Sequence, residues 1–395
     1  MLKHKIQFIF IFIIILSFAC SEQKPGPVQK PKVIKDSTSE MSVLSVGDIM
    51  CHSTQYGYAW VEQDSFNFKP VFKYVKDFFH QKDLVTGNLE TVFAGKGNGY
   101  SGFPFFNSPD QLLDALKDTG FKILFTSNNH ALDQGKTGVI RTIKEIRKRG
   151  MINIGTYLSQ KDRDSIRIIN MKGIKLAVLA YSYGTNGVRI PSKSKYLISI
   201  IDTSSIRSDL IKTKKLNPDV IIVYFHFGKE YSRKPSKFQR KIVKFAILNG
   251  ADIILASHTH TLQPVETFPL KNSKLDSGFV AYSLGNFVSN QRWRYSDGGA
   301  MLNFTIEKNF TKNKIKIKNL RFLPFWVYKG KINGKKEYAV LPLTNSSISN
   351  TYPFLNSKDL LTMEQCIFDV LDIMKKSTPK LKLLKFKYNQ LVSKN

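Results

Sequence analysis

Two histidines, His258 and His260, stand two residues apart directly after a short apolar run at residues 253–256. The run has the length of a buried strand, and residues two apart along an extended chain point to the same side. Two imidazoles on one side of a strand end can bind a metal ion. A lone His-x-His pair is also compatible with two solvated loop histidines, so the rest of the chain has to decide between these interpretations.

Two more of the seven histidines in the chain favour the metal interpretation. His130 and His226 come shortly after the apolar runs at residues 121–125 and 220–225, which are also strand-like. Three separate strands that each lead to a histidine predict one shared site at the strand tips of an open α/β sheet.

The elements that must position these histidines alternate along the chain. Strands and helices alternate between residues 41 and 310, which predicts an α/β domain, and residues 166–183 have the pattern of a β-hairpin. Residues 311–395 are expected to form a smaller basic extension with a strand and with helices at residues 361–376 and 381–392.

Composition and charge limit the classes of protein to consider. With 395 residues, of which 42% are hydrophobic, the chain can bury a sizeable core in one large domain or two smaller ones. The net charge of +30 favours an anionic polymer or membrane surface as partner, but it is also compatible with a lysine-rich soluble surface. Because the lysines are scattered and no zinc-finger, RRM or KH pattern occurs, nucleic acid is disfavoured. The three cysteines imply no disulfide framework.

The amino terminus has the pattern of a targeting segment. A basic start precedes an apolar stretch at residues 6–18, which is short for a membrane span and typical of a signal-peptide core. The residues up to Cys20 resemble the lipobox of bacterial lipoproteins, although Leu16 lies four positions before the cysteine instead of three. We therefore expect a lipoprotein signal peptide at residues 1–20, with lipid attached to Cys20.

This interpretation gives an exported protein, lipid-anchored to a bacterial membrane in the cell envelope. Cleavage after Ala19 would instead give a secreted or periplasmic protein, and an uncleaved anchor is a third alternative. Residues 21–40 are rich in Lys, Pro, Gln and Ser and are expected to act as a flexible linker.

Polar residues end the predicted strands in six places, and together these segments carry a resemblance. They are Gly47-Asp48-Ile49-Met50, Gly87-Asn88-Leu89-Glu90, Asn128-Asn129-His130 with Asp133, His226 to Tyr231, Ser257 to His260 with Gln263 and Glu266, and Ser283 to Phe287. The set resembles the CapA family of capsule (poly-γ-glutamate) synthesis proteins, which is similar to the calcineurin-like metallophosphoesterases. The resemblance covers about residues 43–287 and implies an α-β-β-α sandwich.

The resemblance also implies two metal positions that share one carboxylate. The ligands of the first would be Glu90, Asn129, His226 and His258. The ligands of the second would be Asp48, Glu90 and His260. His130 would be the catalytic residue, acting as a proton donor or an oxyanion stabiliser. Mixed carboxylate and imidazole ligands suit one or two divalent Mn, Fe or Zn ions better than Ca or Mg.

Two departures from the metallophosphoesterase pattern weaken this expectation. The usual first motif is Asp-x-His, whereas here the third residue is Met50, and His52 lies too far along for a strand end. Glu90 stands where a shorter aspartate is usual. One metal position is therefore expected to be weak or empty. The neighbouring Cys51 is interpreted as a small packing residue.

Other residues of the six segments leave alternatives open. Glu230 with Tyr231 could contact substrate or form a local hydrogen-bonded pair. Gln263 and Glu266 could also bind substrate or hold the following turn. Two further residues are given local roles: Asp133 as the cap of the helix near residue 135, and Asn286 as a turn former.

Two functions follow as hypotheses. The first is a metal-dependent hydrolase-like domain that acts on an anionic capsule or envelope polymer such as poly-γ-glutamate, alongside other capsule synthesis proteins. The second is a non-catalytic factor that binds or exports this polymer at the membrane, using the +30 charge. Phosphoester cleavage in nucleotides would follow from the fold alone, and fold does not determine function.

Overall fold

The computed structural model describes residues 37–63, 65–271, 273–377 and 381–386. Cys20, the predicted signal peptide and most of the predicted linker lie outside the described residues. Among the helices in the described part of the chain, none has both the length and the apolar character that a membrane span requires.

The first sheet has nine strands, with β1 near its centre. The strands are β1 Thr38–Ile49, β4 Leu84–Leu89, β5 Ile123–Phe125, β6 Ile152–Ile154, β13 Asn286–Val288, β14 Gly298–Asn309, β15 Lys314–Ile332, β16 Lys335–Pro342 and β17 Lys382–Leu383. The order is β16-β15-β14-β1-β4-β5-β6, while β13 pairs with the end of β1 and β17 with β15. Strands β1, β4, β5 and β6 are parallel, so their carboxyl ends share one edge.

The second sheet has six strands in the order β11-β12-β10-β9-β8-β7. They are β7 Arg167–Met171, β8 Ile174–Ser182, β9 Val220–His226, β10 Ile253–Ser257, β11 Val265–Pro269 and β12 Ser277–Ala281. Its inner strands run parallel, and antiparallel β7 and β11 form the edges. The predicted hairpin at residues 166–183 is confirmed as β7 and β8. A separate hairpin joins β2 Trp60–Glu62 and β3 Ser65–Phe66.

Helices pack against both sheets. They are α1 Ser53–Ala59, α2 Lys69–Phe72, α3 Lys76–His80, α4 Gln111–Thr119, α5 Gly135–Lys148, α6 Gln160–Asp164, α7 Thr203–Lys215, α8 Lys237–Asn249, α9 Ile348–Thr351 and α10 Ser357–Ser377, with 3₁₀ turns at Lys96–Asn98 and Ser192–Leu197. Apolar residues of α4 and α5 pack on the first sheet, and those of α7 and α8 pack on the second.

Residue alternation along the strands explains the layers. In β9, Tyr224 faces the core between the sheets, whereas Val223 faces the helices, because successive strand residues point to opposite sides. Phe125 of β5 stacks on Tyr224 across the two sheets, with ring centroids 4.1 Å apart. The predicted α/β class and the α-β-β-α sandwich are confirmed.

The carboxy-terminal residues differ in part from expectation. A helix was predicted at residues 381–392, but the described residues 381–386 contain β17, which pairs with β15. The Leu384 N–H donates to the Phe322 carbonyl at 2.8 Å, so an available strand edge determines the conformation there. The predicted helix at residues 361–376 is confirmed as part of α10.

Gly47 lies where β1 and the turn at Gly285 come closest. A Cβ atom on Gly47 would lie 1.8 Å from the Gly285 carbonyl oxygen, which also accepts a 3.0 Å hydrogen bond from the Asp48 N–H. We expect Gly47→Ala to force the two segments apart and to lower the free energy of unfolding by about 3 kcal/mol, as measured by urea denaturation. In the control Gly57→Ala, a Cβ meets nothing within 4 Å, so we expect a gain of under about 1 kcal/mol. Equal stability of both variants would contradict this packing.

Candidate metal centre

The two sheets bring their carboxyl-terminal edges to one place. In the first sheet, β1 leads to Asp48 and β4 leads to Glu90, because the parallel register places Asp48 opposite Asn88. In the second sheet, β9 ends at His226 and β10 leads to His258, since Ser257 pairs with His226. Adjacent parallel strands thus deliver carboxylates from one side and imidazoles from the other, as expected for strand tips.

The first cluster of ligand groups consists of Glu90, His226 and His258, which are all buried. One potential ligand atom from each lies within 4.8 Å of the others. His226 Nε2 is 3.5 Å from Glu90 Oε1 and 2.7 Å from Asn129 Oδ1. The four residues of the first implied metal position therefore lie together.

The second cluster consists of Asp48, Glu90 and His260, and it meets the same 4.8 Å limit. His260 Nδ1 is 3.1 Å from Asp48 Oδ2 and 3.0 Å from Asn286 Oδ1, while its Nε2 is 3.9 Å from Glu90 Oε1. Because both neighbours of Nδ1 are hydrogen-bond acceptors, Nδ1 carries the proton and Nε2 is left to bind a metal. Glu90 belongs to both clusters, as the resemblance implied.

Two atoms of these clusters test whether the residues fit a metal ion. Glu90 Oε1 and His258 Nδ1 are buried, and neither has a hydrogen-bond partner among the described residues. Buried polar atoms are almost always paired, because desolvation without a partner is costly. Both atoms belong to groups that bind divalent transition metals, so the donor set fits such an ion.

Burial and neighbouring charges shift the pKa values of the histidines and of the carboxylates in the clusters. Burial lowers the pKa of His258 to about 3 and the pKa of His226 well below its ordinary value, so both imidazoles are neutral and able to bind a metal. Burial and the charge of Asp48 raise the pKa of Glu90 well above 4.5. Burial also acts to raise the pKa of Asp48, but hydrogen bonds and charge from His260 and Asn88 outweigh it, and the pKa is lowered.

The His258-His260 pair reaches the site by a different route from the one expected. Extended chain was predicted to point both rings to one side, but β10 ends at Ser257 and both histidines have positive φ, 100° at His258 and 57° at His260. With this backbone, a ring nitrogen of each histidine lies within 4.8 Å of a Glu90 carboxylate oxygen. Such backbone conformations cost about 1–3 kcal/mol in residues other than glycine and occur often at functional sites.

His130 lies beside the clusters and is held by two side chains. Its Nδ1 is 2.8 Å from Asp133 Oδ2, and its Nε2 is 3.4 Å from Asn186 Nδ2. The prediction that Asp133 caps α5 is wrong, because Gln134 is the N-cap residue and has no side-chain cap bond. Asp133 instead accepts from His130 and from the Phe106 N–H. These contacts turn Nδ1 toward the Asp133 carboxylate and Nε2 toward the Asn186 amide.

Three amide residues of the site were not assigned from the sequence. Asn88 Nδ2 donates to Asp48 Oδ1 at 2.8 Å and to Glu90 Oε2 at 3.1 Å. Asn186 Oδ1 accepts from Asn129 Nδ2 at 3.1 Å. Asn88 lies in the segment Gly87-Asn88-Leu89-Glu90, whereas nothing in the sequence near Asn186 points to the site.

Asn286 is the third of these residues, and its predicted role as a turn former is wrong. The positive φ at this turn belongs to Gly285, at 75°. Asn286 begins β13, pairs with Asp48 and places its Oδ1 against His260. Asn286 therefore lies beside the second cluster as a hydrogen-bond partner of His260.

The remaining predicted residues are placed as follows. Glu230 is exposed, and its charge contributes to the raised pKa of Glu90. Burial, followed by the charge of Glu230, raises the pKa of Tyr231 to about 12. Gln263 Nε2 donates to the Ser232 carbonyl at 2.8 Å, which gives it a part in holding that loop. Glu266 lies on β11 and pairs with Arg240 at 3.0 Å. Gln263 and Glu266 therefore have polar partners outside the two clusters.

The residues after Asp48 also have structural positions. His52 is the N-cap residue of α1, and its Nδ1 is 3.1 Å from Gln55 Oε1. Cys51 is fully buried in the core of the first sheet, and burial raises the pKa of its thiol to about 12. An inert buried thiol agrees with the predicted packing role.

Comparisons with known proteins agree with the motifs. The family model described as bacterial capsule synthesis protein PGA_cap matches residues 42–291. The PGA biosynthesis protein CapA of Bacillus subtilis (strain 168) is 28% identical over 304 residues, covering 76% of each chain. The capsule biosynthesis protein CapA of Bacillus anthracis is 29% identical over 248 residues, covering 61% of this chain and 59% of that protein.

Solved structures give more distant likenesses. The NAD nucleotidase NadN of Haemophilus influenzae aligns with a TM-score of 0.46 and 13% identity, over 89% of this chain and 65% of that chain. The calcineurin-like phosphoesterase YfkN of Bacillus subtilis aligns with a TM-score of 0.39 and 13% identity, over 82% of this chain and 99% of that chain.

Proposed function

Since the chain belongs to the bacterial capsule synthesis protein PGA_cap family, we propose that it acts as a metal-dependent hydrolase on an anionic capsule polymer such as poly-γ-glutamate. The observation that carries this proposal is the pair of buried ligand clusters that share Glu90. Two carboxylates and three imidazoles at one place are a donor set for divalent Mn, Fe or Zn, and one or two ions would bind there.

The metal would be held by Glu90, His226 and His258, with Asn129 beside them, and by Asp48, Glu90 and His260. When bound, a divalent ion supplies Lewis-acid chemistry and neutralises charge that develops on the substrate. The chain's own contribution to the chemistry is His130. Its Nε2 can take up a proton and pass it to a leaving group, while Asp133 holds the ring and stabilises the charged form.

We also propose that the protein is exported and anchored by lipid at Cys20. Support comes from the apolar stretch at residues 6–18 followed by a cysteine. Such an anchor would place the site at the membrane, next to the polymer and to other capsule synthesis proteins. Mass spectrometry of the protein isolated from the membrane fraction should find lipid on Cys20, and an unmodified Cys20 would contradict lipidation.

Exchanging His130 for glutamine separates catalysis from metal binding. Because His130 lies outside both ligand clusters, we expect His130→Gln to keep the wild-type metal content but to lose about 10²–10⁴-fold in turnover. Release of new chain ends from poly-γ-glutamate measures turnover, and elemental analysis measures metal.

His80→Gln serves as the control, since His80 is an exposed residue at the end of α3. It should match wild type in both measurements. Metal-loaded wild type that releases no chain ends would contradict the hydrolase proposal and would favour polymer handling without cleavage.

A further inference from the structure

Four large aromatic side chains are exposed around the two ligand clusters and His130. Phe103 is 69% exposed, Trp293 49%, Tyr231 44% and Tyr183 40%. A single exposed apolar residue needs no explanation, but rings gathered around one buried polar site are typical of a ligand-binding surface. We call these four residues the aromatic rim.

The rim is in direct contact with the site. The Tyr183 ring centroid lies 4.4 Å from that of His258, and the Tyr231 centroid lies 6.0 Å from that of His260. Trp293 extends this row, with its centroid 5.2 Å from Tyr231. Each of these exposed rings therefore lies beside a buried imidazole or beside another ring of the rim.

Phe103 contacts the site from another loop. Its ring centroid lies 6.3 Å from that of His130, which Phe106 also contacts at 4.7 Å. The rim thus contacts both the ligand clusters and His130, the residue proposed to transfer a proton.

The two tyrosines are held in place by amide side chains. The Tyr183 hydroxyl donates to Asn186 Oδ1 at 3.3 Å. The Tyr231 hydroxyl accepts from Gln291 Nε2 at 3.3 Å, and Gln291 Oε1 accepts from Asn286 Nδ2 at 2.9 Å. Because these bonds restrict the rings before any ligand arrives, less conformational entropy is lost on binding.

We propose that the aromatic rim binds the carbon backbone of an oligomeric chain and so selects polymer over monomer. This inference rests on the proposed function and names γ-linked glutamate oligomers as the ligand class. The methylene stem and planar amide of each unit can pack on aromatic faces, while the carboxylate stays in water or pairs with lysines such as the exposed Lys229.

The ring contacts reach both sides of the buried histidines. From Tyr183 through His258 and His260 to Tyr231, successive centroids are separated by 4.4, 6.2 and 6.0 Å, before the further step to Trp293. Because Tyr183 and Tyr231 contact different histidines, linked units of a chain can lie on both rings, whereas free glutamate offers a single short stem.

The test compares a γ-linked glutamate decamer with free glutamate by calorimetry on the full, metal-loaded protein. We expect Tyr231→Ala and Trp293→Ala each to weaken decamer binding by about tenfold, with metal content unchanged. Tyr231→Phe keeps the ring and loses only the hydroxyl, so a smaller loss is expected. The affinity for free glutamate should be weak and equal in wild type and Trp293→Ala.

Trp60→Ala is the matched control, because Trp60 is 58% exposed but lines another cavity, of about 460 Å³. This variant should bind the decamer as wild type does. Equal decamer affinity of the rim variants and wild type, or a loss confined to Trp60→Ala, would contradict polymer binding by the aromatic rim. The proposed function would be unaffected by either result. Failure of metal-loaded wild type to bind the decamer at all would overturn both.

Discussion

Glu90→Gln is expected to abolish metal binding and, at the same time, to stabilise the metal-free protein. Glu90 is the residue common to both ligand clusters, so its carboxylate cannot be lost from one cluster alone. Glutamine is nearly the same size and keeps an oxygen that can accept from Asn88, which now donates to Glu90 Oε2 at 3.1 Å. It removes a buried acidic group beside Asp48, and we expect a gain of about 1–2 kcal/mol without metal.

The stability gained by Glu90→Gln is expected to depend on pH. Burial and Asp48 raise the folded-state pKa of Glu90 well above its ordinary value of 4.5. Above pH 4.5 the folded metal-free protein therefore keeps a proton that the unfolded chain has lost, and the stability contributed by this group falls as pH rises toward the folded-state pKa. The stability advantage of Glu90→Gln over wild type should grow with pH across that window.

Urea denaturation at several pH values and elemental analysis measure the two effects together. A variant that lost metal because it was misfolded would be less stable, so increased stability excludes that explanation. Metal content equal to that of wild type would contradict the bridging position of Glu90.

Removal of metal from the wild type should have the opposite effect on stability. A ligand that binds only the folded state stabilises it by about 2.7 kcal/mol at 100 times its Kd and by about 4.1 kcal/mol at 1,000 times. Chelation would also leave Glu90 Oε1 and His258 Nδ1 buried without partners. We therefore expect a chelator to lower the free energy of unfolding by about 3–4 kcal/mol, measured by urea denaturation before and after dialysis.

Glu90→Gln is the control for this experiment, because a protein without bound metal has nothing to lose to a chelator. Its unfolding curve should be the same in both conditions. Addition of Mn or Zn should restore the wild type and leave the variant unchanged. A wild type that is indifferent to chelator and to added metal would show that the clusters hold no ion.

Much of the site could be predicted because burial determines where the strands lie. The runs at residues 220–225 and 253–256 are apolar on both faces, as expected for parallel strands covered by a second sheet and by helices. Strand direction then places His226 and His258 at one edge. The identity of the shared carboxylate, Glu90, came from the family resemblance and not from periodicity.

The parts that could not be predicted depend on contacts between distant segments. The positive φ of His258 and His260 results from the surrounding structure, because local preference disfavours it in both residues. Gly285 with Asn286 has the composition of a turn, and only the pairing of β13 with β1 turns the amide toward His260. Asp133 likewise matches a helix cap locally but is used by His130.

Metal content of the purified protein tests the central claim most directly. Elemental analysis after growth with added Mn and Zn should find one to two transition-metal ions per chain in the wild type and in the surface variant His80→Ala. His258→Ala should lose the ion of the first cluster, and Glu90→Gln should lose both. Absence of metal from every protein, wild type included, would contradict the metal centre and with it the proposed hydrolase.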